Sequence, residues 1–106
     1  LREVAWLANC RIHYWGDIDT HGFAILDGIR SVFPRAESLL MDQQTLLAHR
    51  HFWGTEPRPS TRSLTRLNPT EARLYSDLQH NTYAPNLRLE QERVPYSYLI
   101  DVLKRL

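Results

Sequence analysis

Hydrophobic spacing along the chain changes period several times, and each change marks an element. Leu1, Val4, Ala5 and Ala8 recur at helical spacing, and Asn9 breaks the pattern. Arg11–Gly16 is β-prone and predicts a strand. From Gly22 to Phe33 the apolar residues fall at 25, 26, 29, 32 and 33, which predicts a helix with one apolar face. Thr20 is the expected N-cap, and Pro34 stops the far end. Gly28 inside this helix costs roughly 1 kcal/mol against Ala, so close packing is expected there. Ser38–Met41 reads as a short buried strand, and Asp42 as the cap of a helix from Gln43 to about Arg50. Phe52 to Asn68 holds Gly54, Pro57 and Pro59 in a Ser/Thr/Arg mixture and predicts irregular chain. Asn68-Pro69-Thr70-Glu71 supplies a cap, a proline at the first helical position and an early acid, opening a helix to about His80. Leu87–Glu92 predicts a third strand. Pro95 opens a last helix with a stripe at 98, 99, 102, 103 and 106.

Helices alternating with strands predict one α/β domain over residues 1–106, layered, with a mostly parallel sheet and flanking helices. Ligands of such sheets sit beyond the carboxyl ends of the strands. Asp17 and Asp19 lie at such an end, as do Asp42 and Glu92 if the strands are parallel.

The two aspartates carry the most chemistry. Side chains at i and i+2 of extended chain point the same way. Two like charges that close repel, and one tends to hold a proton. A divalent cation removes the conflict. Mg²⁺ suits the pair because it takes oxygen ligands and often uses one or two carboxylates plus phosphate oxygens. Asp also commonly shapes a strand-to-helix turn, and the residues alone leave both readings open.

Composition adds less. Apolar content of 42% and charged content of 24% are those of a globular domain. A net charge of +1 does not point to a polyanion. Its distribution is uneven: residues 43–73 hold five Arg against two acids, and residues 1–42 hold four Arg against six acids. Arg58, Arg62 and Arg66, four apart in the irregular stretch, suit DNA-phosphate contacts, although a solvated flexible loop explains them too. The single cysteine, Cys10, excludes an internal disulfide and reads as a small buried apolar group in a reduced, cytoplasmic protein. No apolar run has membrane-spanning length. The only Met is Met41 and the chain opens as if mid-helix, so it reads as a piece of a longer protein.

Other candidates are weaker. His21 could touch phosphate or shuttle a proton, or simply face solvent at a helix start. Glu90 and Glu92 share one face of a strand by period two, as ligands or as a polar face paired with Arg88 and Arg93. Asp42 suits a cap better than a ligand. His49 and His51 lack the cysteine partners of a zinc site. Trp15 and Trp53 read as core or interface residues.

The string Tyr14-Trp15-Gly16-Asp17-Ile18-Asp19-Thr20-His21-Gly22-Phe23-Ala24-Ile25-Leu26 resembles the Asp-x-Asp segment of Toprim domains. More narrowly, it resembles the C-terminal domain of the JetD subunits of Wadjet anti-plasmid systems, which are akin to the topoisomerase VI A subunit. Leu39-Leu40-Met41-Asp42, His51-Phe52-Trp53-Gly54 and Leu89-Glu90-Gln91-Glu92-Arg93 resemble that family in the same order. The resemblance implies a Toprim-like fold and a Mg²⁺-dependent nuclease, with Mn²⁺ as a substitute. It implies Asp17 and Asp19 as metal ligands and as catalytic residues with His21. Glu92 is a further candidate ligand, and Glu90 and Asp42 are candidates for the second sphere. Double-stranded plasmid DNA, an SMC-type motor complex and a second copy of the protein are the implied partners. A Toprim site also needs a Glu on an earlier strand. The chain shows no such strand, and Glu3 is a poor substitute, so this Glu is expected upstream of Leu1 and the chain alone is expected to be inactive.

Two other classes compete. Aspartate-based phosphatases also place Asp-x-Asp after a strand, with the first Asp as nucleophile. By resemblance they carry Thr or Val two residues after the second Asp, where this chain has His21. A non-catalytic docking or dimerisation module would use the last helix, through Tyr98, Leu99, Val102, Leu103 and Leu106.

Overall fold

Two short ladders carry the strands in the computed structural model, which describes residues 11–105. The helix expected over residues 1–8, with Glu3, Asn9 and Cys10, lies outside the described residues, as does Leu106. β1 (His13–Tyr14) pairs in parallel with β2 (Glu37–Ser38), His13 opposite Glu37. The connection between them is α1 (Thr20–Val32), the crossover that a parallel pair requires. α2 (Gln43–Ala48) and a 3₁₀ turn (Arg50–Phe52) lead to β3 (Gly54–Thr55). α3 (Pro69–Gln79) follows, then β4 (Leu87–Arg88), which pairs antiparallel with β3. A 3₁₀ turn (Gln91–Arg93) and α4 (Tyr96–Lys104) complete the chain. Among the described residues no helix is long and apolar enough to cross a membrane.

One bridge joins the two halves. Ile18 and Leu89 exchange both backbone hydrogen bonds, at 2.9 and 3.1 Å, and both side chains are buried. With Phe23, Leu26, Leu46, Leu74, Leu78 and Leu87 they form the core. α1 crosses α3 there, with Phe23 and Tyr75 in edge contact at 6.3 Å.

Local sequence explains most element starts. Asp42 caps α2 by accepting from Thr45 N at 2.7 Å. Asn68 and Glu71 form a reciprocal capping box ahead of Pro69. At α1 the expected cap moves by one residue: Asp19, not Thr20, accepts from Gly22 N, at 2.6 Å. Thr20 is helical, and its hydroxyl is used elsewhere.

Three further expectations change. The strand read over Ser38–Met41 is Glu37–Ser38 only. Leu40 has φ 56°, a left-handed conformation that ends the strand while its side chain enters the core. The strand read over Leu87–Glu92 keeps only Leu87–Arg88 as a ladder and lies antiparallel; the 3₁₀ turn at Gln91–Arg93 then ends the alternation. Third, the apolar stripe of α1 is only partly its buried face: Leu26 is buried and Ile29 and Phe33 are partly so, but Ile25 and Val32 are half exposed. The helix also buries Thr20, Gly22, Phe23 and Asp27. Nothing lies within 4 Å of a Cβ added at Gly28, so the close packing expected there is absent among the described residues.

Polar groups hold that inner face. Arg30, nearly buried, gives a two-pronged ion pair to Glu71, with Nη2 to Oε2 at 3.1 Å, and Ser38 also donates to Glu71. Burial pushes the Glu71 carboxyl up, but Arg30, Ser38 and the Asn68 amide outweigh it and hold it below the usual range. Asp27 accepts from Arg66 N at 2.8 Å and from its guanidinium at 3.2 Å. Arg30 also donates to the Arg66 carbonyl, and Tyr75 to the Arg62 carbonyl at 2.7 Å. Residues 56–66 are thus tied along α1 and α3 by hydrogen bonds, while remaining irregular as their composition suggests.

Candidate functional site

Asp17 and Asp19 flank Ile18, and it is Ile18 that fixes them. Its backbone bridges Leu89 and its side chain is 1% exposed, so its two neighbours are turned from the core side. Asp17 is half-buried and accepts from Gln91 N at 2.7 Å. Asp19 is buried: Oδ1 caps α1 and Oδ2 accepts from Arg88 Nε at 3.0 Å. Burial raises the Asp19 carboxyl above the usual range. The Gly22 amide opposes this, the Glu56 charge adds to it, Arg88 opposes it, and Asp17 adds a smaller push. Tyr14 stands close enough that its hydroxyl is raised as well, by burial first and then by Asp17 and Asp19.

The turn is shaped by close approaches. A Cβ at Gly22 would run into the Asp17 carbonyl oxygen and lie 3.2 Å from Asp19 Oδ1. A Cβ at Gly16 would strike the Tyr14 ring. At Gly22, where the obstacle is backbone, only hydrogen lets the strand end fold back onto the first turn of α1; at Gly16 the obstacle is the end of a side chain.

Behind the turn lies Glu56, which the spacing of acids along the chain gives no reason to single out. It follows β3 directly, its side chain is 1% exposed, and it accepts from Thr20 N at 3.2 Å and His21 N at 3.1 Å. The Thr20 hydroxyl lies 2.9 Å from both of its oxygens. A carboxylate at a helix N-terminus satisfies amides that have no partner within the helix. His21 Nε2 lies 3.5 Å from Glu56 Oε1 and 2.5 Å from the Arg58 carbonyl.

The other candidate residues are spread out. Glu92 is exposed on the 3₁₀ turn, and Glu90 sits just before it, so the two do not share a strand face. Arg88, expected beside them, pairs with Asp19 instead. The Asp42 carboxylate caps α2. Arg58, Arg62 and Arg66 are all exposed, and Arg66 also pairs with Asp27. His49 is buried against Tyr98, with Nδ1 on the Thr45 carbonyl, and Trp53 packs on the core with Nε1 donating to the Leu46 carbonyl. Among the described residues no group of three or more His, Cys, Asp or Glu side chains is placed to hold a metal ion. Asp17 and Asp19 together offer two carboxylates. That donor set fits Mg²⁺ with phosphate and water oxygens completing its shell, and it is too small for an all-protein cage.

The chain matches the family described as Wadjet protein JetD, C-terminal, over residues 1–103. No curated protein matches it. The matched span takes in the Asp17-Ile18-Asp19 turn and every described element up to the last turn of α4, and the chain belongs to the JetD C-terminal family of Wadjet proteins.

Proposed function

We propose that this chain is the nuclease domain of an anti-plasmid defence protein, with a Toprim-like fold, and that Asp17 and Asp19 hold Mg²⁺ for phosphodiester hydrolysis in double-stranded DNA. The observation that carries the proposal is the placement of two carboxylates one residue apart at a strand-to-helix turn, Asp17 half-buried and Asp19 buried, where burial already raises the Asp19 carboxyl. A site that penalises its own negative charge gains from a cation. When bound, Mg²⁺ would polarise the scissile phosphate and lower the pKa of an attacking water. Asp17 keeps Oδ2 free of hydrogen bonds to the described residues, and Asp19 shares Oδ2 with Arg88. Arg88 would stabilise the turn before DNA binds and meet phosphate charge afterwards. Exposed Arg58 and Arg62 would contact the DNA backbone. A third carboxylate would come from outside the described residues. Family membership also supports, as partners, the other subunits of the defence system, an SMC-type motor among them.

The test is nicking of supercoiled plasmid by the complete JetD protein that carries this domain. Asp17→Ala with Asp19→Ala should abolish Mg²⁺-dependent nicking and the cation binding seen by calorimetry. Equal cation binding before and after the change would refute the metal assignment. Nicking that survives the change would refute the catalytic one.

A further inference from the structure

Glu56 and His21 form a second polar assembly beside the aspartates, and its hydrogen bonds have a fixed direction. The Arg58 carbonyl can only accept, so the His21 nitrogen 2.5 Å from it must be the donor. That nitrogen is Nε2, and Glu56 Oε1, the second atom near it, is also an acceptor. The imidazole therefore carries a proton on Nε2, and Nδ1 is left with no hydrogen-bond partner among the described residues. Glu56 holds the backbone of the same residue through His21 N. The Thr20 hydroxyl accepts from Ser60 N at 2.6 Å, so its own proton goes to Glu56. Backbone and ring of His21 are thus both located by one buried carboxylate and the segment that follows it.

The geometry points to Glu56 as a positioning residue: it pins the first turn of α1 and, beside the Arg58 carbonyl, keeps His21 with its proton on Nε2, so that Nδ1 is the nitrogen offered, as an acceptor, to a water. The tautomer follows from the hydrogen bonds alone. Its link to DNA cleavage rests on the nuclease proposed above.

The test reads the imidazole directly, by ¹⁵N–¹H correlation in histidine-labelled protein, because the proton position has to be measured. In the wild type the neutral His21 ring should carry its proton on Nε2; a neutral ring protonated on Nδ1 overturns the inference. In Glu56→Ala the Nε2 proton should exchange with solvent about tenfold faster or more, since the carboxylate that anchors the His21 backbone and lies 3.5 Å from Nε2 is gone. Should that variant not fold, Glu56→Gln keeps the volume but replaces one acceptor oxygen by a donor amide, and a smaller acceleration in the same direction is expected. Unchanged exchange in a folded variant overturns the inference. In the complete JetD protein the variant should nick plasmid about tenfold more slowly or worse at an unchanged Mg²⁺ requirement. A variant that frees the ring yet nicks at the wild-type rate overturns the link to the reaction. If the wild type itself does not nick, the nuclease proposal falls and the positioning of His21 stands.

Discussion

Asp19 offers a clean separation of charge from shape. Two substitutions at this position should behave oppositely. Asp19→Ala removes the cap on Gly22 N, a loss of about 1 kcal/mol, and leaves Arg88 without its partner. For a domain of this size that corresponds to a fall in melting temperature of about 4–8 °C. Asp19→Asn keeps a side-chain oxygen for the cap, and Asn caps about as well as Asp. It loses the pair with Arg88 but also the buried charge. Because the folded carboxyl is raised, the net effect of the surroundings is to disfavour the ionised form. The sign follows. A raised folded pKa means stability that is full below the unfolded value, about 3.9, and is lost as pH rises through the folded value. The Asn variant has no such loss. Its stability relative to wild type should therefore improve from acid to neutral pH and end equal to or above it. Thermal melts of the 106-residue chain across that range give both quantities. An Asn variant as unstable as the Ala variant at neutral pH would refute the reasoning, because it would mean that the ionised carboxylate is favoured where it sits. Added Mg²⁺ should raise the wild-type melting temperature and leave the Asn variant unmoved.

Other outcomes follow from the fold. Glu71→Ala leaves Arg30 buried without its partner and opens the capping box of α3, so about 3–5 kcal/mol should be lost in a denaturant titration. The Glu71 carboxyl is held low, so its contribution is present above the unfolded value, about 4.3, and should vanish as pH falls through the lower folded value. A wild-type acid transition unchanged by Glu71→Gln would contradict this. Gly22→Ala should destabilise by about 1–3 kcal/mol, because the methyl meets backbone at Asp17 that cannot swing away. A melt within error of wild type would show that the turn is looser than described. Gly28→Ala is the control: with open space around it, the change should stabilise α1 by a few tenths to about 1 kcal/mol.

The site was half legible. Asp17 and Asp19 stand out because two acids one residue apart at the end of a β-prone run are locally unusual, and local spacing is what a sequence displays. Glu56 did not stand out. It lies 36 residues from Thr20, in a stretch whose composition suggests solvent, and nothing near it in the chain hints at a helix terminus to satisfy. In one of its two sequence readings, the face of Glu90 and Glu92 pairs with Arg88 and Arg93. The 3₁₀ turn removed the face, and Asp19, 69 residues away, took the Arg88 guanidinium.

The α1 helix shows the same division. Its existence was written locally, in the run after Gly22 and the stop at Pro34. Which face it would bury was not, because Asp27 and Arg30 face inward only where Arg66 and Glu71 are present to receive them. Caps and helix starts depend on residues three or four apart, so the sequence alone determined them, give or take one position. Strand partners, the antiparallel set of β4, the burial of Glu56 and the tautomer of His21 depend on chain segments that meet only on folding. Tertiary structure decided those, because the energy of a buried polar group depends on the partner it finds.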